Sequence, residues 1–467
     1  MKRRKKKSIW LWRLLGLLVL FAAGFLVRNG PCWTEEVGAF LVRDTQLATL
    51  PTYTRSRPAT MQPPQTNTNG ETIPTDTEDT EENPETIRLQ FAGDVFLHQG
   101  PLDAARTGSN TFDFWPFLEH ISPYINGDFV IANMESPVDA FGGNQQVAGW
   151  PYFNAPFEIL EALTRAGFNH LSTANNHAFD KGMEGLLNTV GNLNRAGITH
   201  TGLSVNQEDF DTHTLIDVGG ITIGVLAYTD VVNHQGLALM PQNSLSYAVR
   251  RFESTSLNDM PRMTNDITNL RAAGAELVVV SLHWGVEYDD EPTPLQRVIA
   301  EQLVDAGADI IMGHHSKTIQ PVEWHTRADG SRGLIMYSLG NFVADQTRLF
   351  PNATSAQEVL SRSNDSGLGN HVHFAGRTQF GALVSVDATR DDNGNVELTG
   401  VNVLPTLAMR DFSGTTLGRV DMVGVMPLSS GQLPEFVTNP DLRQWGQVAY
   451  EHINTIINRE FIGGDTH

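Results

Sequence analysis

The chain has 467 residues, 40% of them hydrophobic, which is enough to bury a large core. Its net charge is −21, and because residues 1–28 hold eight basic and no acidic residues, the rest carries 24 basic against 53 acidic residues, or −29. That charge argues against a nucleic-acid partner, and the single cysteine, Cys32, excludes an intrachain disulfide and a zinc site built on several thiolates.

An apolar run of 19 residues, 9–27, follows the basic residues 1–8 and is interrupted by one charge, Arg13. A helix of about 20 residues rises roughly 30 Å, enough to cross a bilayer. The positive charge before it predicts a cytoplasmic tail at 1–8, a single-pass anchor in the cell membrane and an extracytoplasmic main domain. A cleaved signal peptide is the alternative, supported by the small residues 22–24. The anchor is favoured because no small-x-small site follows the run.

Residues 28–85 form the predicted linker. From about residue 45 they consist mainly of Thr, Pro, Gln, Asn and Glu, which bury too little apolar surface to offset the entropy of ordering. We expect a disordered, acidic tether there, then a folded domain at 86–410 and a C-terminal extension at 411–467 that ends in a helix over 441–459.

Strand and helix patterns alternate through the first half of the folded domain. The predicted strands are 87–92, 129–132, 170–173, 221–228, 276–282 and 309–312, and the predicted helices are 157–166, 183–196 and 293–306. This spacing favours an α/β domain with largely parallel strands. Later strands at 333–338, 381–386 and 396–404 have no helices between them, which indicates an antiparallel addition. A two-sheet sandwich flanked by helices fits this order best.

Polar side chains able to hold a metal ion follow most of these strands. They are Asp94, then Asn133 and Glu135, then Asn175, Asn176 and His177, then His283 and Glu287, and finally His314 and His315. Because the carboxyl ends of adjacent strands face one crevice, we expect these residues to converge. Carboxylates and neutral imidazoles bind Zn²⁺, Mn²⁺ or Fe, and two ions about 3.5–4 Å apart could hold a phosphoryl group and generate hydroxide.

Each of these residues has a simpler explanation when it is taken alone. A His or Asp after a strand is commonly a turn residue, which is the preferred interpretation of His98. Asp180 precedes a predicted helix and fits an N-cap. The set as a whole is different, because the same chemistry at five consecutive strand ends favours a shared site. Gly93, Gly285 and Gly313 beside these residues predict tight turns that direct the side chains inward.

Six ordered motifs carry a family resemblance. They are FAGDVFL, NMESPV, STANNHAFDKGMEGL, LHWGVEY, IIMGHHSKTIQPVEW and IMYSLGNFV. Together they resemble the CapA family of capsule (poly-γ-glutamate) synthesis proteins, a branch of the calcineurin-like metallophosphatase superfamily, over residues 87–404. The resemblance implies a four-layer α-β-β-α sandwich and a membrane-anchored protein that makes or exports an anionic envelope polymer together with other synthesis and export proteins.

The resemblance also implies roles for the matching residues. The metal ligands, for one or two divalent ions, would be Asp94, Asn133, Glu135, Asn176, His283, His314 and His315. The catalytic residues would be His177, His283 and Asn176, with one of the two histidines protonating the leaving group because imidazole titrates near the working pH. The residues on the substrate side would be Glu287 and Asn341, together with Lys317, which departs from the family pattern.

Two positions depart from the expected pattern. The superfamily places a His two residues after the first Asp, where this chain has Phe96, and whether His98 substitutes is left open. The family continues Gly-His-His with Pro-His, where this chain has Ser316 and Lys317. The missing imidazole leaves the binding of a second ion open. Lys317 is expected to replace metal charge by contacting an anionic substrate directly.

The sequence leaves two functions open. The first is an enzyme that hydrolyses or transfers a phosphoester or amide of the polymer. The second is a non-catalytic accessory that binds the growing polymer and couples a ligase to an export pore. The charge of −29 disfavours capture of a polyanion unless cations bridge the two. A sugar-phosphate or nucleotide hydrolase unrelated to capsules is a third, weaker hypothesis.

Overall fold

The computed structural model describes residues 85–140, 146–346, 377–411, 422–429, 431–435, 437, 440–457 and 461. The predicted tail and anchor, Cys32, and the linker apart from its last residue lie outside these ranges. Among the described residues, no helix is both long and apolar enough to cross a bilayer. The anchor therefore stays a prediction.

Fourteen strands occur within the described residues, in two sheets. They are β1 Thr86–Val95, β2 Phe129–Met134, β3 His170–Ser172, β4 Thr199–Thr201, β5 Thr214–Val218, β6 Ile221–Thr229, β7 Leu277–His283, β8 Ile310–His314, β9 Val322–Thr326, β10 Arg332–Met336, β11 Asn341–Val343, β12 Phe380–Arg390, β13 Val396–Asp411 and β14 Met422–Pro427. The first sheet has the order β14-β13-β12-β1-β2-β3-β4, with β11 also beside β1. The second has the order β5-β6-β7-β8-β10-β9.

The strand directions confirm the predicted mixture. Strands β1 to β4 pair in parallel in the first sheet, and β6, β7, β8 and β10 do so in the second. The antiparallel addition consists of β12, β13 and β14, which join the first sheet along β1. Strand β10, predicted within that addition, instead lies parallel to β8 in the second sheet.

The helices of the described residues lie mainly between the parallel strands. They are α1 Gln99–Ala105, α2 Trp115–Leu118, α3 Glu158–Ala166, α4 Gly182–Ala196, α5 Gln207–Asp211, α6 His234–Ala238, α7 Met260–Ala272, α8 Pro294–Asp305 and α9 Pro440–Ile456. Helix α8 begins with a capping box between Thr293 and Gln296 and has Pro294 in its first turn. Helix α7 was not predicted, although its buried residues Met260, Met263, Ile267 and Leu270 recur at helical spacing.

The core is divided into layers by the two sheets. Phe91 and Ile131 of the first sheet pack against Val279 of the second. Helix α3 covers the outer face of the first sheet, while α7 and α8 cover the outer face of the second. The order helix, sheet, sheet, helix agrees with the predicted four layers. It buries the central parallel strands on both faces, which explains their continuous apolar sequences.

The described part of the predicted C-terminal extension belongs to the same core. Strand β14 pairs with β13, and Trp445, Ala449 and Ile453 of α9 lie in the apolar cluster between the sheets. Helix α9 lies where the sequence predicted a terminal helix. The described residues beyond 411 therefore complete the sandwich.

His170 provides a test of acid stability that is independent of the site. Its ring nitrogens lie 2.8 Å from Thr199 Oγ1 and 3.1 Å from Thr201 Oγ1, and burial, followed by the nearby His200, lowers its pKa from 6.5 to about 3. The unfolded chain therefore binds a proton below pH 6.5 that the folded protein does not, so the free energy of unfolding falls as pH drops from 6.5 toward 3.

The free energy of unfolding falls between pH 7 and about pH 4.5, and we expect His170→Gln to make this fall smaller by about 2–3 kcal/mol. Urea denaturation at both pH values measures this difference, which is separate from any constant cost of the substitution. His213→Gln, at an exposed position, is the matched control. Equal pH dependence in the two variants would contradict the prediction.

Candidate metal centre

The centre lies where the carboxyl ends of the parallel strands of both sheets face each other. Asp94 of β1 pairs in register with Asn133 of β2, and His283 of β7 pairs with His314 of β8. Across the sheets, Asp94 Oδ1 is 3.1 Å from His314 Nδ1, and Asn133 Nδ2 is 3.4 Å from His283 Nδ1. All four side chains are fully buried. Strand ends that are far apart in sequence thus meet in one polar cluster.

Glycines let the backbones approach closely at this level. A Cβ on Gly93 would lie 2.1 Å from the carbonyl oxygen of Gly340, and one on Gly313 would lie 1.8 Å from that of Tyr337. Both glycines are inside strands, so the prediction that they form turns was wrong, and close packing is their role. Gly285 has a φ of 92° and forms the predicted turn.

Lys317 supplies the positive charge of the centre. Its Nζ donates to both carboxylate oxygens of Glu135 and to Asp94 Oδ2, which is 3.3 Å away. The Phe96 ring lies 4.5 Å from Nζ, and Lys317 is only 2% exposed. These contacts hold the ammonium group on the two carboxylates. Because Lys317 is almost completely buried, it is not placed for the direct substrate contact that the sequence predicted.

A second group of ligand atoms surrounds His283 Nε2. This nitrogen lies 2.9 Å from Asn176 Oδ1, 3.1 Å from His315 Nδ1 and 3.6 Å from Glu135 Oε1. One ligand atom from each of Glu135, His283 and His315 lies within 4.8 Å of the others. Such separations suit the ligands of one ion bound at about 2.0–2.2 Å. His314 Nδ1 contacts Asp94 Oδ1 at 3.1 Å, and its buried Nε2 makes no hydrogen bond with the described residues, so this imidazole is a further candidate ligand.

The turn after β8 directs two of these side chains. His315 and Lys317 have φ values of 89° and 62°, in the left-handed region that non-glycine residues rarely adopt. The Ser316 hydroxyl between them donates to Thr318 O at 2.8 Å, and Ser316 O accepts from the Tyr288 backbone at 2.7 Å. These bonds support a conformation that costs about 1–3 kcal/mol per residue, a strain that concentrates at functional sites.

The charges of the centre are unequally compensated. Burial opposes ionisation of Asp94, but Lys317 and His314 outweigh it and hold its pKa well below the usual value. Burial raises the pKa of Glu135 well above its usual value, against the effect of Lys317 and with the help of Asp94. Burial also opposes the charge of Lys317, yet Glu135 and Asp94 raise its pKa. Glu135 is therefore the carboxylate that lacks full compensation.

The imidazoles of the centre are kept neutral. Burial, then the neighbouring His315 and Lys317, lowers the pKa of His283 well below 6.5. Burial and Lys317 lower the pKa of His315 to about 3. A neutral imidazole has one nitrogen lone pair free for coordination, whereas a protonated one has none. The donor set therefore fits a divalent cation.

His177 is held by an acidic partner beside the cluster. Its Nδ1 lies 2.6 Å from Asp180 Oδ2, which also accepts from the Phe153 backbone at 2.9 Å, and Asn233 Nδ2 is 3.1 Å from the same nitrogen. Helix α4 begins at Gly182, and no side chain caps it. The prediction that Asp180 is an N-cap was therefore wrong. Its described contacts orient His177 and leave Nε2 available for proton transfer.

The structure separates the predicted substrate residues. Glu287 is exposed in the loop after β7. Asn341 is buried beside Asp94, its register partner, and its side-chain nitrogen donates to Thr378 O at 2.7 Å and Gln346 Oε1 at 3.0 Å. These bonds support the neighbouring chain segments. Substrate roles for Glu287 and Asn341 stay predictions.

His98 is part of an aromatic group next to the centre. Its ring centroid lies 4.7 Å from that of Phe96 and 5.2 Å from that of Phe153. Phe153 in turn contacts the ring of His177, with centroids 4.6 Å apart. His98 thus lies behind the phenylalanines, and the described contacts give it a packing role.

Three residues have roles that the sequence alone did not indicate. Asp180 orients His177, Asn175 accepts from the His177 backbone at 3.1 Å and donates to Met134 O at 2.8 Å, and Asn233 reaches His177 from the β6 side. The three-residue spacing from His177 to Asp180 was a usable signal. Asn233 had none, because it lies four residues beyond the end of β6 and only the folded chain brings it against His177.

Comparisons with known proteins agree with the resemblance. Residues 88–346, which are 259 of the 467, match the family model described as "Bacterial capsule synthesis protein PGA_cap". The "Capsule biosynthesis protein CapA" of Bacillus anthracis is 31% identical over 267 residues, 56% of this chain and 61% of that protein. The "PGA biosynthesis protein CapA" of Bacillus subtilis (strain 168) is 31% identical over 261 residues, 56% and 64% of the two chains.

A more distant relative from Mycobacterium tuberculosis is described as a probable polyglutamine synthesis accessory protein. It is 28% identical over 309 residues, covering 63% of this chain and 70% of that protein. The chain spans only a little over three fifths of the length of the two Bacillus proteins. Because the family model covers more than half of the chain and includes every residue of the centre, this protein belongs to the bacterial capsule synthesis family PGA_cap.

Proposed function

We propose that this protein is anchored in the cell membrane and uses a divalent metal ion, outside the cytoplasm, to hydrolyse or transfer a bond of a poly-γ-glutamate-like envelope polymer. One observation carries the metal chemistry: ligand atoms of Glu135, His283 and His315 converge from three strand ends within 4.8 Å of one another. A bound ion there supplies a Lewis acid and makes water acidic enough to give hydroxide near neutral pH. Mn²⁺, Zn²⁺ and Fe²⁺ all suit this donor set.

The remaining residues position the substrate and move protons. His177 carries the proton to the leaving group, because Asp180 fixes its Nδ1 and only Nε2 is left for that transfer. Asn176, whose amide oxygen lies 2.9 Å from His283 Nε2, positions the substrate beside that histidine. His177 and Asn176 are 8% and 6% exposed, whereas Glu135 and His283 are fully buried. The substrate therefore approaches from the side of His177 and Asn176.

The polymer and the location follow from the family and the N-terminal sequence. The Bacillus relatives are described as capsule and PGA biosynthesis proteins. The basic residues 1–8 and the apolar run 9–27 support an anchor with the positive end inside. The acidic charge of the domain repels a polyanion, so a bound cation also helps the polymer to approach.

A non-catalytic accessory role is the second candidate, and one observation favours it. Lys317 binds both carboxylate oxygens of Glu135 and neutralises one of the two buried carboxylates without any metal. A centre balanced in this way could serve as a structural element of a polymer-binding domain. The relative from Mycobacterium tuberculosis is described as an accessory protein, which agrees with this alternative.

We expect His283→Ala to weaken Mn²⁺ binding by about tenfold or more, because it removes one of three convergent ligands. Isothermal titration of the purified full-length chain with Mn²⁺ measures the change. Asp217→Asn, which alters an exposed carboxylate on β5, is the control and should bind Mn²⁺ like the unaltered chain. Unchanged affinity in His283→Ala would refute the proposed ligand set.

Complementation separates the enzyme from the accessory protein. In a host that makes the polymer but lacks its own family member, we expect His283→Ala to restore about a tenth or less of the polymer that the unaltered chain restores. Loss of a metal ligand commonly lowers activity tenfold or more. Polymer is quantified chemically after immunoblotting confirms equal protein in the membrane fraction. Full restoration by His283→Ala would favour the accessory role.

A further inference from the structure

The position of the Lys317 ammonium group is the starting point. It is held by Asp94 and Glu135, the two carboxylates of the centre, and is almost completely shielded from water. A buried carboxylate is normally stabilised by a counterion or a metal. Here the counterion is a side chain of the protein itself, in contact with oxygens that would otherwise be free to coordinate a metal.

The two positions that depart from the family pattern touch each other. The resemblance predicts a histidine at each of the positions that Phe96 and Lys317 occupy. The Phe96 ring lies 4.5 Å from the Nζ atom of Lys317. An aromatic ring attracts an ammonium group through its negative face, an effect that grows when water is excluded. The pair therefore replaces two potential metal ligands with a cation and a ring that stabilises it.

We propose that the Lys317 ammonium group takes the place of one divalent cation, so that the centre binds a single ion on Glu135, His283 and His315. This inference rests on the proposed metal site but not on the polymer. Glu135 would be shared between the ammonium group and the ion, in the way that a carboxylate bridges two metals. Asn176 Oδ1, which lies 2.9 Å from His283 Nε2, is a further donor beside the ion.

Formal charges support a limit of one ion. Within the cluster of Asp94, Glu135, Lys317, His283 and His315, the two carboxylates contribute −2, Lys317 contributes +1 and the two imidazoles are counted as neutral. One divalent ion changes the total from −1 to +1, and a second would bring it to +3 in a site that excludes water. Uncompensated buried charge is strongly unfavourable.

Metal stoichiometry tests the proposal directly. The full-length chain is saturated with Mn²⁺, desalted and analysed by mass spectrometry for manganese per chain. We expect one ion in the unaltered protein and two in Lys317→His, because an imidazole supplies a ligand and removes the competing charge. Lys181→His is the matched control, since Lys181 is the other lysine beyond residue 7, and it should still bind one ion.

A second measurement tests the role of Lys317 without requiring a variant to bind a second metal ion. In EDTA, Lys317→Met leaves two buried carboxylates together, so we expect its melting temperature to fall by about 5–10 °C, compared with a small change for Lys181→Met. Adding Mn²⁺ should raise the melting temperature of Lys317→Met more than that of the unaltered chain, because the variant can accept a second ion.

The outcomes distinguish this inference from the proposed function. Two Mn²⁺ ions per unaltered chain, or equal melting temperatures for the two methionine variants in EDTA, would overturn the role of Lys317 and leave the proposed function standing. A chain that binds no Mn²⁺ would overturn both this inference and the metal chemistry. Failure of the unaltered chain to restore polymer, with one Mn²⁺ ion bound per chain, would contradict the proposed function alone.

Discussion

Asp94 and Glu135 are two carboxylates in contact with the same ammonium group inside a water-excluding sandwich, and this arrangement governs the rest of the centre. Each buried carboxylate costs several kcal/mol unless a positive charge or several hydrogen bonds stabilise it. Lys317 contacts both residues at once, and its single charge compensates the two carboxylates only in part. Because the ammonium group must reach this point, the strained turn after β8 and the close packing at Gly313 become requirements of the site as well as of the fold.

The same requirement explains why the imidazoles beside Lys317 are neutral. A protonated His283 or His315 would add a second positive charge next to the ammonium group, and burial already disfavours it. Neutral rings keep lone pairs that an ion can use, and one of them touches a carboxylate that lacks full compensation. Lys317 thus creates an asymmetric centre, with a permanent cation on one side and neutral imidazole donors on the other.

Much of this arrangement could be predicted from the sequence, because parallel strands impose it. Residues that follow buried strands meet at one edge of a sheet, so the order of residues along the chain is enough to group Asp94 with Asn133 and His283 with His314. The stacking of the two sheets brings the two pairs together. The order of strands and helices also predicted a two-sheet sandwich flanked by helices. These predictions depend on periodicity and chain direction, which the sequence carries explicitly.

The parts that failed depend on contacts between elements or on local backbone conformation. The direction of Lys317 is set by a positive φ at a non-glycine residue, which no composition rule indicates. Asp180 looked like a helix cap, because only the folded chain brings its carboxylate against Nδ1 of His177. Gly93 and Gly313 looked like turn residues, although what requires them is the carbonyl oxygen of a neighbouring strand. In each case the cause is either a contact with a residue distant in sequence or a backbone conformation that the sequence does not indicate.

A centre with one exchangeable ion also bears on which bond the protein acts on. Two ions hold a phosphoryl group symmetrically between attacking and leaving oxygens. Lys317 cannot replace the second ion in that role, because its ammonium group is held by Glu135 and Asp94 and is almost completely buried. Cleavage or transfer of an amide makes a different demand: one polarising cation, a nucleophile and a proton for the departing nitrogen, which His177 can deliver from Nε2. If the centre is catalytic, its charge distribution therefore favours the amide bonds of the polymer over a phosphoester.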